Sequence, residues 1–68
     1  MHGTDNSNDQ NLTGETIRYF MRVNDITIRR IAAHMQITLK RVRFVREHGC
    51  SGISCTDWMQ AIRETAPA

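Results

Sequence analysis

The sequence predicts an all-α fold, a compact bundle of four or five short helices. Apolar residues recur at i, i+3, i+4 and i+7 in successive stretches, the stripe of an amphipathic helix. Threonines stand just ahead of three such stretches, at Thr13, Thr27 and Thr38. There a hydroxyl can accept an unpaired backbone N–H of the first helical turn. At the centre of the chain, from Thr27 to Glu47, two of these stretches are separated by only a few residues, so they fold as a corner and not as a rod.

Met1 to Asn11 is polar, rich in Asn and Asp, and has almost no apolar residue to offset the entropy of ordering it. Residues 1–11 are therefore expected to be a disordered tail. Carrying Asp5 and Asp9 and no Lys or Arg, the tail lacks the makings of a basic arm. The first helix is expected to start at the Thr13 cap, with Glu15 at the positive end of the helix dipole. Ile17, Phe20 and Met21 form its inward stripe, and Leu12 is expected to fold back on it as a hydrophobic staple. Tyr19 is expected to rest its ring on the edge of the core, the alternative being a hydroxyl contact to a phosphate. Asn24-Asp25 ends the helix, because both residues favour turns and Asn tolerates a left-handed backbone.

In the central pair, Ile28, Ile31, Ala32 and Met35 share one face of the first helix. Met35-Gln36-Ile37 makes the turn, and Thr38 caps the second helix. In that helix Val42 and Val45 point inward, while Lys40, Arg43, Phe44 and Glu47 point the opposite way, with Arg41 and Arg46 on the flanks. Gly49 is suited to a C-terminal cap. A Gly/Ser-rich loop, Cys50 to Ser54, leads to a last helix capped by Ser54 or Thr56, with Asp57 in its first turn. Cys55, Trp58, Ala61 and Ile62 share its inward face, closing the monomer core or meeting a second subunit. Residues 12–65 thus form one domain, and residues 66–68 a loose end. No internal repeat is expected.

A chain of 68 residues is one small domain with a limited core, so homodimerisation is expected. The net charge of +2 hides a strong asymmetry. From Arg18 to Arg46 there are eight basic residues against one acid, Asp25, a segment charge of +7. Such a segment is the electrostatic footprint of a polyanion binder. No apolar run approaches the roughly 20 residues that span a membrane, and no signal-peptide core follows the polar start, so a cytoplasmic protein is expected. Enzymatic activity is not expected. The chain has no glycine-rich phosphate loop, no carboxylate pair suited to a cleft and no nucleophile with a base, and it is too small to enclose a small-molecule substrate. Cys50 and Cys55, with His34 and His48 as conceivable partners, lack the doubled close spacing of zinc sites, so no metal or other cofactor is expected. A disulfide is not expected in the cytosol either, which leaves Cys55 packed inside and Cys50 partly exposed. His34 is expected on the outer side of its helix, solvated or beside a phosphate.

The stretch from Ile17 to Gly49 resembles the helix-turn-helix of the Cro/CI-like (Xre) family of bacterial and phage DNA-binding regulators. The resemblance rests on Ile31, Ala32, Met35, Ile37, Val42 and Val45, which stand where that motif has apolar residues. Ala32 matters most, because a large side chain there would hold the two helices apart. At Gln36 the chain departs from the family, which commonly has glycine. The resemblance implies a lambda-repressor-like bundle with the motif at about 27–47, and a homodimer on a palindromic double-stranded operator. The third helix would lie in the major groove. Small members of the family, including phage and plasmid regulators, are often repressors of their own promoter.

On this reading the base-reading candidates are Thr38, Leu39, Lys40, Arg43 and Phe44. Lys40 and Arg43 suit guanine O6 and N7, and Leu39 or Phe44 a thymine methyl. Phe44 could equally be buried against the last helix or a partner subunit. Glu47 can accept from cytosine or pair with Arg43. Arg29, Arg30, Arg41 and Arg46 are the candidates for phosphates, which set register without reading sequence. The alternative reading is a protein-interaction module, of antitoxin or inhibitor type, docking its basic helix on an acidic partner.

Overall fold

The computed structural model describes residues 11–67; residues 1–10, most of the expected tail, lie outside the described residues, as does Ala68. Four helices and one very small sheet are present among them. The order is β1 (Asn11–Leu12), α1 (Gly14–Val23), α2 (Ile28–Met35), α3 (Leu39–His48), β2 (Cys50–Ser51) and α4 (Ile53–Thr65). The fold is all-α in substance. Ile17, Met21, Ile26, Ile31, Ala32, Val42, Val45, Trp58, Ala61 and Ile62 form one contiguous buried core. α1 packs against α3, α2 packs against both α3 and α4, and β2 leads directly onto α4.

Three helices start as their threonines dictate. The hydroxyls of Thr13, Thr27 and Thr38 accept the backbone N–H groups of Thr16, Arg30 and Arg41 at 3.0–3.1 Å. The ends of α1 and α2 repeat one device. At the end of α1 the N–H of Asp25 donates to the Arg22 carbonyl and that of Ile26 to the Met21 carbonyl. At the end of α2 the N–H of Gln36 donates to Ala33 and that of Ile37 to Ala32. Both are Schellman motifs, each with a left-handed residue at φ 60°, Asp25 in one and Gln36 in the other. The sequence shows why: Asp25-Ile26-Thr27 and Gln36-Ile37-Thr38 are the same turn written twice. A polar residue takes the left-handed position, an isoleucine returns to the core and a threonine caps the next helix. A short internal repeat therefore exists where none was expected. The left-handed residue after α1 is Asp25, not Asn24, whose side-chain amide instead donates to the Phe20 carbonyl at 2.8 Å.

The two ends of the domain differ from the expected picture. Asn11 is not tail but pairs with Ser51, and Leu12 pairs with Cys50, in an antiparallel ladder. Leu12 still covers the core, as a strand residue and not as a free staple. The expected Cys50–Ser54 loop is therefore strand β2 followed at once by helix. α4 begins at Ile53 with Gly52 as its cap and no side-chain hydrogen bond there, so neither Ser54 nor Thr56 caps it and Asp57 falls beyond the first turn. Ala66 is not loose; it ends α4, donates its N–H to the Ile62 carbonyl and packs on the core. Trp58, 2 % exposed, is a core residue.

Candidate nucleic-acid interface

α3 is held by two opposed demands on its surface. Val42 and Val45, both fully buried, fix its inner line. Ala32, the small residue expected at the approach of the two helices, is buried in the core on α2, which packs against α3. With those contacts made, Lys40, Arg41, Arg43, Phe44, Glu47 and His48 are all exposed on the outer side. Thr38, also exposed, serves as the cap, and its hydroxyl keeps its own proton to donate. Leu39 is only half-exposed and leans on the core, so less of it faces outward than a thymine-methyl contact would use.

Phe44 is not buried against α4. Half-exposed, it lies with its ring centroid 4.5 Å from that of His48, and the Arg41 guanidinium sits 5.4 Å above it. His48 thereby joins the outer face, one turn on from Phe44, though sequence reading placed it only in a helix stop. Tyr19 is also half-exposed, with its ring beside that of Phe20, which packs on the core, and beneath Arg22. Arg46 departs from its expected place on an open flank. It is half-buried, its Nε is shut off from solvent without a partner among the described residues, and its backbone carbonyl accepts from the Arg18 guanidinium of α1.

The N-terminal charges on α2 and α3 run against the helix dipoles, whereas the basic residues of their last turns, His34, Arg46 and His48, follow them. The first turn of each lacks an acidic residue and holds a basic pair instead, Arg29-Arg30 and Lys40-Arg41, all four exposed. Cations are disfavoured at a helix N-terminus by roughly 0.3–1 kcal/mol each at an exposed site. α1 obeys the usual rule, with Glu15 in its first turn and Arg22 in its last.

Gly14 sets how α1 meets α3. A Cβ there would run into the Arg46 carbonyl and come within 2.7 Å of the Glu47 backbone, so the start of α1 can press directly on the last turn of α3. Neither this approach nor the Arg18 tether leaves a mark in the local sequence pattern, because each joins residues about thirty positions apart.

Two further pairs of titratable groups join other parts of the fold. His34 Nε2 meets Glu64 Oε1 at 2.8 Å, joining α2 to α4. Glu64 also accepts from Gln60, and these two hydrogen bonds, that of Gln60 first, hold its carboxyl below the usual range. Cys55 is buried and Cys50 half-buried, both as free thiols with their sulfurs 3.6 Å apart. Burial first, then the hydrogen bond and charge of Cys55, pushes the Cys50 thiol up to about 12. No group of three or more His, Cys, Asp or Glu side chains suited to a metal occurs among the described residues. No helix among them is long and apolar enough to cross a membrane. No protein-family model, curated protein or solved structure matches the chain.

Proposed function

We propose that this protein is a sequence-specific double-stranded-DNA-binding transcriptional regulator of the Cro/CI-like helix-turn-helix type. It acts as a repressor, binding an inverted-repeat operator as a homodimer with α3 in the major groove. The observation that carries this reading is the pair of cationic first turns on α2 and α3, set against their own dipoles on two helices joined at a tight corner. Isolated, that arrangement is locally unfavourable. A polyanion lying across both helix starts turns it into an attraction, because it meets four basic side chains together with the free backbone N–H groups of the two first turns. The exposed side of α3 adds donors of the kind that read base edges, Lys40 and Arg43, beside an uncovered aromatic ring, Phe44. In a symmetric dimer the two copies of α3 would stand about one helical turn of DNA, roughly 34 Å, apart. The same exposed cations of α3, Lys40, Arg41 and Arg43, favour a second reading, a protein-interaction module that docks this helix on an acidic partner.

Selection of bound duplexes from a random-sequence pool, followed by affinity measurements across salt concentrations, tests the proposal. A preferred inverted repeat is expected, with log affinity falling against log salt by about 0.9 per phosphate neutralised. Equal affinity for every duplex, with tight binding to an acidic protein instead, would favour the docking reading.

A further inference from the structure

The outer face of α3 continues into a hollow that the base-reading scheme uses only in part. Arg18 of α1, Ile28 at the start of α2, and Arg43, Arg46 and Glu47 of α3 enclose a surface depression of about 280 Å³. Three arginines from two helices thus line one hollow together with a single acidic residue, Glu47. The sole ion pair among the described residues is that of His34 with Glu64, so none of the three arginines forms an ion pair with a described acid, Glu47 of the same hollow included. Arg18 is held in place by donating to the Arg46 carbonyl, which engages one of its five N–H groups and leaves the others free. The Arg46 Nε has no acceptor. Three like charges lining one hollow, with donors unspent, describe a site suited to an anion.

We propose that this hollow is a seat for one phosphate group, and that in the complex proposed above it takes a phosphodiester of the DNA backbone. The second part rests on the DNA-binding reading; the first does not. Arg43 is then shared between the reading face and the backbone, and Arg18, on a helix outside the corner motif, becomes a residue that fixes how far α3 enters the groove. A planar guanidinium suits this role better than an ammonium, because its paired N–H groups match two phosphate oxygens at once.

Two measurements on the full chain test it separately. In the first, inorganic phosphate is titrated at constant ionic strength, against a chloride control, while the arginine Nε–H resonances are followed. Those of Arg18, Arg43 and Arg46 are expected to shift together and saturate, with Arg63 unmoved. Uniform drift of all arginines, or no shift, overturns the seat. In the second, Arg18→Gln and Arg18→Lys are compared with wild type on the selected duplex. Arg18→Gln is expected to lower the salt slope by about 0.9 and to weaken every duplex by the same factor, with base preference kept. Arg18→Lys is expected to restore the slope with only part of the affinity, and melting curves check that both variants remain folded. An unchanged slope in Arg18→Gln, where wild type binds duplex, removes the backbone assignment and leaves DNA binding standing. If selective phosphate shifts appear in a protein that binds no duplex, the seat takes free phosphate and the DNA-binding proposal falls instead.

Discussion

Gln36 carries the sharpest conflict between a residue and its place. It sits at φ 60° and ψ 45°, where a side chain crowds the backbone, yet the turn needs that conformation to return Ile37 to the core. Gln36→Gly relieves the crowding at some cost in unfolded-chain entropy, so a net gain of up to about 1 kcal/mol is expected. A clear fall in melting temperature would mean that the glutamine side chain supports the turn. On the outer face, Arg43 and Arg30 differ in what a lost guanidinium should do to DNA binding. Arg43→Ala is expected to cost about 1–3 kcal/mol in affinity and relax preference at particular base pairs, whereas Arg30→Ala weakens all sequences alike. Binding competition over a panel of single-base operator variants separates the two. Unchanged preference in Arg43→Ala would remove it from the reading face.

Between elements, the critical positions are the small residues. Ala32, 5 % exposed, is the small residue at which the helical pattern puts the close approach of α2 and α3. Ala32→Leu would force extra methylenes into that contact and is expected to destabilise by about 1–3 kcal/mol or more. Gly14 plays the same part between α1 and α3, but the obstacle there is backbone, which cannot swing aside. Helix propensity alone would make Gly14→Ala favourable by up to about 1 kcal/mol. The clash outweighs that gain, so a net loss is expected, readable as a melting temperature lowered by about 4–8 °C per kcal/mol in a domain of this size. A Gly14→Ala protein as stable as wild type would show that α1 can move off α3 at little cost. The two substitutions probe different contacts of α3, which makes them the direct test of what positions its outer face.

For the whole molecule, alkaline pH acts through Cys50. In the unfolded chain its thiol ionises near the ordinary value of about 9; in the fold it does so only at about 12. Below pH 9 both states hold the proton and this thiol contributes no pH dependence to stability. From about pH 9 to 12 the unfolded state releases a proton that the folded state keeps, so stability falls as pH rises. Denaturant midpoints taken across that range should decline, and Cys50→Ala should flatten the decline. An identical decline in the variant would place its origin elsewhere. The same protonated thiol is expected to react slowly with alkylating reagents at neutral pH, since the thiolate is the nucleophile.

Four helices, the N-caps of the first three and the inward face of each were legible in the sequence. All of these depend on residues within about four positions of one another, where period and hydroxyl placement are legible. Thr13, Thr27, Thr38, Ala32, Val42 and Val45 could be assigned that way, and so could the outward direction of Lys40 and Arg43. The repeated turn at Asp25 and Gln36 was also present in the letters, but hydrophobic period does not register a device that works through backbone dihedrals. Tertiary structure alone decided the pairing of Asn11 and Leu12 with β2, the start of α4 at a glycine, the uncovered Phe44 stack and the convergence of Arg18 with Arg43 and Arg46. Each of these depends on a contact across the fold or on what the rest of the chain leaves uncovered. Charge pattern marks which residues are cationic; only the packing of α1 and α2 against α3 determines which of them share one recess.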